Sequence, residues 1–282
     1  MRRGRLWNAL RAGVALAALI ASCTSSSPGG SSKLRASGPP RVRVDVVARH
    51  AAELDEGELA SRAAGSQQEE AAAAYVLGHL QQAGYGARLE GVPVANTVTS
   101  TDVLAVPAGG APRVVVAVPY DTGVRTDPTG AAVGLFLELA RALAVADPGH
   151  RVAFAALGAE ATEVGGGHLG SARLVGVLEE EGEPTPTIMT LEWIELEGDA
   201  TFGALGPEAS SLTDVAERLG IPVAPPRPPD PAVGRELSER ARLFAEAGFD
   251  HVGLTGGAAE VGVVLLEYLA PRRRGAGGAP WA

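Results

Sequence analysis

RVVVAVPYD, residues 113–121, says more about the architecture than any other segment of this 282-residue chain. Within Arg113–Val118, everything from Val114 on is an unbroken apolar run, mostly β-branched. Such a run marks a central strand covered on both faces rather than one with a wet side. Arg151–Leu157 repeats the pattern, and Thr187–Ile194 gives a third strand. Between the first two lies Thr129–Ala146, long and apolar enough for a buried helix. Upstream, Ala73, Val76, Leu77 and Leu80 recur at helical spacing within Ser66–Ala83, and Gly84 and Gly86 stop that helix. Arg88–Val94 and Asn96–Val106 then read as strands. Downstream, Gly165–Gly167 leads into a helix running to about Glu180, and a short strand lies near Thr201. Helices are expected at Ser211–Leu219, Arg235–Ala247 and Ala258–Leu269, with a strand at His251–Leu254. Pro222–Pro231 holds six prolines and must be a loop. Strands alternating with helices predict an α/β three-layer sandwich, with a mostly parallel mixed sheet and helices on both faces. No internal repeat is present.

The N-terminus predicts how this domain is displayed. Arg2, Arg3, Arg5 and Arg11 precede an apolar run from Ala12 to Ala21, a charged n-region and an h-region too short to span a bilayer. The run closes on Leu19-Ile20-Ala21-Ser22-Cys23, which resembles the lipobox of bacterial lipoproteins. That resemblance implies cleavage after residue 22 and lipid attachment at Cys23. Cys23 is the only cysteine, so neither a disulfide nor a cysteine metal site is possible. Two or more acyl chains anchor stably where one does not. Thr24–Pro40, rich in Ser, Gly and Pro, reads as a flexible stalk. The expected organisation is therefore a signal peptide (1–22), a lipidated cysteine and stalk (23–40), a folded domain (41–270) and a disordered tail (271–282). Removing residues 1–22 leaves 20 basic residues against 33 acidic, a net charge of −13, which argues against nucleic acid as a partner.

Four blocks in order carry a family resemblance. They are Gly65-Ser66-Gln67-Gln68-Glu69 with its helix to Tyr85; Asn96-Thr97-Val98 and then Val114–Val118 into Pro119-Tyr120-Asp121; Asp127-Pro128-Thr129-Gly130 before Leu137–Leu143; and Val152–Glu160, closing at Gly170-Ser171. A weaker fifth is Phe244–Gly248. Together they resemble the co-catalytic zinc aminopeptidases, two-zinc exopeptidases that include secreted bacterial leucyl aminopeptidases. The resemblance spans nearly the whole domain and implies that family's fold.

It also implies which positions would carry chemistry. Two zinc ions, held by histidines and carboxylates, acidify a bridging water, and a glutamate takes its proton. Glu160 falls on the base position, Asp121 on the orienting carboxylate and Glu192 on a metal-ligand position. The bridging aspartate aligns with Pro128, with Asp127 one residue away. Pro119 replaces a ligand histidine, Ala161 replaces a ligand carboxylate, and Thr255-Gly256-Gly257 runs into a helix where the last histidine would stand. None of His50, His79, His150, His168 and His251 falls on a ligand position, although His168 could line the cleft. Asp121, Asp127, Glu160, Glu163 and Glu192 could alternatively gather around a harder cation such as calcium or magnesium, or be solvated loop acids. No Gly-x-Ser-x-Gly elbow occurs, and Gly165–Gly167 lacks the spacing of a dinucleotide fingerprint.

The expectation is thus a membrane-anchored, extracytoplasmic lipoprotein, held on the outer leaflet or an outer membrane. Its aminopeptidase-like domain is expected to have lost its metals and activity, and to bind a peptide or cell-envelope component. The alternatives are an active zinc aminopeptidase using Asp127, Glu160 and Glu192, and a purely structural envelope protein.

Overall fold

A computed structural model describes residues 40–270, apart from 96, 107–110, 124–128, 147–151, 162–165, 183–184, 198–199, 226–230 and the side chains of 231–237. The signal peptide, Cys23, most of the stalk, the tail, Asp127, Pro128, His150 and Glu163 therefore lie outside the described residues. In chain order the elements are α1 (Val44–Asp55), a 3-10 turn (Gly57–Leu59), α2 (Gln67–Gln82), β1 (Gly86–Ala95), β2 (Val98–Val106), β3 (Val114–Pro119), α3 (Gly130–Ala146) and β4 (Val152–Leu157). There follow α4 (Leu169–Glu181), β5 (Thr187–Glu195), β6 (Phe202–Leu205), α5 (Ala209–Arg218), α6 (Pro231–Glu246), β7 (His251–Gly257) and α7 (Ala258–Leu269).

The seven strands form one sheet in the order β1-β2-β4-β3-β5-β7-β6. Its centre, β4-β3-β5-β7, is parallel; β1, β2 and β6 run antiparallel at the two sides. The apolar runs are explained by what covers them. On β3, Val116 and Val118 face the larger core with α1, α2, α3, α5 and α7, while Val115 and Ala117 face the smaller one with α4 and Phe244 of α6. On β4, Val152, Phe154 and Ala156 alternate with Ala153, Ala155 and Leu157 in the same way. Both faces are dry, so neither strand shows a polar period. The expected three-layer α/β sandwich is the architecture found.

Sequence patterning assigns no element before Ser66, and the structure adds α1. It buries Val46, Val47, His50, Ala51 and Leu54 as one stripe and lies directly on α3. The approach requires glycine: a Cβ at Gly134 would stand 2.6 Å from the Val47 carbonyl oxygen. The buried Glu138 of α3 accepts hydrogen bonds from Arg43 and Arg141. Burial pushes its carboxyl up, but the two arginines outweigh that and hold it near 2. α2 begins where Ser66 accepts a hydrogen bond from the Glu69 N–H at 3.1 Å, a side-chain N-cap. Among the described residues no helix is long and apolar enough to cross a membrane.

Candidate functional site

Parallel strands deliver their carboxyl ends to one edge of the sheet, and three neighbours bring acids there: β3 leads to Asp121, β4 to Glu160, and β5 carries Glu192. The turn after β3 is fixed from below by Arg62, whose side chain is fully buried. Its guanidinium donates to the carbonyls of Tyr120 (2.7 Å), Leu59 (2.8 Å) and Leu54, and to Thr129 Oγ1 at 2.7 Å. Asp121 is then anchored to the adjacent turn: its Oδ2 accepts the backbone N–H groups of Glu160 (3.0 Å) and Ala161 (3.1 Å). Burial and the negative Glu160 push the Asp121 carboxyl up to about 7, against the pull of those two hydrogen bonds. The residue expected to orient a histidine instead orients the backbone of the Glu160 turn.

That turn is tight. Gly158 sits where a Cβ would stand 2.5 Å from Ser100 Oγ and 2.6 Å from the Thr101 carbonyl oxygen. Ala159 and His168, which bracket the segment, both adopt left-handed backbone conformations at φ 52° and 54°. Non-glycine residues enter that region at a cost of about 1–2 kcal/mol each. Something must hold them there, and the Leu169 N–H bond to the Ala159 carbonyl (3.0 Å) closes the segment.

Glu160 is 2% exposed, and both of its oxygens accept hydrogen bonds. Its Oε1 accepts the Ser171 N–H at 2.6 Å, and its Oε2 accepts the Ser171 hydroxyl at 2.9 Å. Ser171 lies in the first turn of α4, so the carboxylate also faces the positive end of that helix. Oε2 further accepts Arg240 Nε at 2.8 Å and lies 3.3 Å from His168 Nδ1. Burial alone would raise the Glu160 carboxyl, but Arg240, His168 and Ser171 together bring it down to about 2.

Glu192 occupies the irregularity where β5 shifts register against β7, between Leu191 and Trp193. A bulge of this kind re-aims a side chain. Its carboxylate, 5% exposed, meets Arg240 Nη1 through Oε2. Arg240, on α6, thus inserts one guanidinium between the Glu160 and Glu192 carboxylates with its own side chain 4% exposed. The paired acids raise its already high pKa despite burial. His251 stacks on Phe244 at 5.1 Å and contacts Thr190 Oγ1 through Nε2 at 2.9 Å. Burial, with the Arg240 charge adding to it, lowers His251 to about 4, so the ring is neutral at neutral pH.

The structure therefore brings Asp121, Glu160, Glu192 and His168 together. His168 is a buried contact between Glu160 and Glu239 (3.7 Å) rather than part of an open wall. His79 is a packed residue, edge-on to His50 and Tyr75. Arg240 was not singled out by the sequence; its one local signal is a charge four residues before the buried Phe244, on the inward stripe of α6.

No family model and no curated protein sequence matches this chain. Solved structures do. A Bacteroides vulgatus protein assigned as a zinc-dependent exopeptidase superposes with a TM-score of 0.66 at 15% identity, covering 83% of this chain and 98% of that one. The fold is that of the zinc exopeptidases. A leucine aminopeptidase precursor from Bacteroides thetaiotaomicron matches with a TM-score of 0.62 at 16% identity, covering 84% of this chain and 99% of that chain. The fold is shared with glutaminyl cyclases as well: the Bacteroides thetaiotaomicron enzyme bound to N-acetylhistamine gives 0.62 at 15% identity, with coverages of 84% and 100%.

Zinc is the metal this fold implies, and the described residues do not fit it. β3 ends in Pro119, which has no donor atom, and Ala161 has none beside Glu160. A guanidinium fills the space between the two carboxylates that could ligate. Among the described residues no group of three or more His, Cys, Asp or Glu could hold a metal ion.

Proposed function

We propose that this chain is a lipid-tethered extracytoplasmic protein whose aminopeptidase-like domain does not hydrolyse peptides but binds a peptide or cell-envelope component. The observation that carries the catalytic part is the state of Glu160. A general base must be within reach of a water proton, have a lone pair to receive it and titrate near the working pH. Glu160 is buried, its Oε2 is occupied by Ser171, Arg240 and His168, its Oε1 accepts the Ser171 N–H, and it is held near 2. It serves as an internal counter-ion and helix cap. The tether rests on Cys23 and the arginine-led apolar run before it, and the binding role on a retained scaffold whose strand ends are where such sheets place ligands.

Turnover is measured on aminoacyl anilides and on a peptide with N-terminal glutamine, with and without added zinc, using the chain produced from residue 24 onward. No turnover is expected; hydrolysis or cyclisation abolished by Glu160→Gln overturns the reading. Expression of the full chain with Cys23→Ala should move the protein out of the membrane fraction. Saturable thermal stabilisation by members of a peptide and envelope-glycan panel tests the binding role, since a ligand that binds only the folded form raises apparent stability.

A further inference from the structure

The cluster at the strand ends has a charge arrangement that asks for a cation. Glu160 and Glu192 arrive from different strands, both side chains about 95% or more buried, and share one guanidinium. Two carboxylates so removed from water are stable only beside positive charge. The demand is not fully met. Glu192 Oε1 is buried and has no hydrogen-bond partner, and His168 Nε2, on the other side of Glu160, has none either. Glu239, half exposed, adds a third carboxylate at the rim. Donors from the surrounding backbone do not make up the balance at Glu192.

We infer that these residues form a cation site that Arg240 fills in cis: the guanidinium is the resident cation, covalently delivered by α6, and once it is removed the site takes a compact cation from solution. The geometry suits that role. Nε and Nη1 of one planar group address two carboxylates that no longer need to share a metal, and His251, neutral and stacked on Phe244, adds no positive charge that would compete with the guanidinium. Arginine is well matched to such a position because its charge persists when buried and its donors sit in a fixed fork. The inference rests on the non-catalytic reading of Glu160.

The test compares the wild-type chain with Arg240→Ala and with Arg240→Ala/Glu192→Gln, by thermal melting and titration calorimetry. The probes are guanidinium at low millimolar concentration, zinc, calcium, and potassium as an ionic-strength control. The wild type is expected to show no saturable shift with any probe and no change in Tm after dialysis against a chelator. Arg240→Ala should melt lower and regain about 5–10 °C, saturably, with guanidinium or a divalent ion at a hundred times its Kd. The double variant should lose that response. Absence of rescue by every cation overturns the inference, and so does a chelator-induced fall in the wild-type Tm, which needs no variant to fold. Peptide turnover by the wild type would instead refute the reading of Glu160, whereas an inactive wild type with no cation rescue in Arg240→Ala fails the inference alone.

Discussion

Glu160→Gln separates a structural carboxylate from a catalytic one. If Glu160 were a base, neutralising it would abolish turnover and leave stability unchanged or improved, since catalytic groups are commonly held at some cost to the fold. In this structure the substitution leaves Arg240 facing Glu192 alone and turns an amide NH2 toward Ser171 or Arg240, donor against donor. Removing one partner of a buried pair costs about 3–5 kcal/mol. A second route gives a similar figure. The carboxyl lies near 2 when folded, against an ordinary value of 4.5, which corresponds to about 3 kcal/mol at roughly 1.4 kcal/mol per unit. A chain of this length loses about 2–4 °C of Tm per kcal/mol, so a drop of about 6–20 °C is expected at pH 7. The sign with pH follows. A depressed acid contributes its full stability above 4.5 and loses it as the pH falls toward 2. Calorimetric melts of both proteins between pH 7 and 3 should therefore converge at the acid end. A loss below about 1 kcal/mol at pH 7, or two curves that stay parallel, refutes the assignment of Glu160 as a counter-ion.

Arg62→Lys should destabilise by about 3 kcal/mol or more, because an ammonium cannot reach the carbonyls of Tyr120, Leu59 and Leu54 together, and each buried acceptor left unpaired costs about 1–3 kcal/mol; denaturant titration checks this. Gly170→Ala should fail to accumulate as folded protein or melt many degrees lower. Its Cβ would collide with the Gly158 carbonyl oxygen and stand 2.6 Å from Asp102 Oδ1, backbone and buried acid that cannot yield. His251, held near 4 against an ordinary 6.5, stays neutral when folded while the unfolded chain takes up a proton. Its contribution is complete above 6.5 and is lost as the pH falls toward 4, by up to about 3 kcal/mol. His50, also near 4 through burial, acts in the same window. Stability measured from pH 7 to 5 should thus have a shallower slope in His251→Gln, and an unchanged slope refutes the assignment.

The strands and most helices are legible because their signals are local. Val114–Val118 and Val152–Leu157 are covered on both faces and show it as unbroken apolar runs, and α7 has the bounds its periodicity indicates. α1 is less visible: its buried stripe is short and holds a histidine, His50, whose place is set by the close approach to the Gly130 and Gly134 face of α3. In the site, the placement of Asp121, Glu160 and Glu192 at neighbouring strand ends follows from the family resemblance. Their chemistry does not, because it is set by a residue 80 positions from Glu160 and 48 from Glu192. No periodicity reports on a pairing at that separation, nor on the β5 bulge that turns Glu192 inward.

One residue of RVVVAVPYD has a consequence for everything above it. Ala117 interrupts a β-branched run at a position facing α4 and α6, and Ala153 and Ala155 of β4 share that face. These three methyl side chains are the smallest on a face that also carries Val115, Leu157 and Ile188 and packs against α4 and Phe244. Ser171 is rooted in α4 and Arg240 in α6, whereas Glu160 and Glu192 are rooted at the sheet, so the bonds that Ser171 and Arg240 make cross from one layer to the other. Apolar packing between those layers, made by side chains with no polar atom, therefore holds the donors of Ser171 and Arg240 in register with the acids they serve.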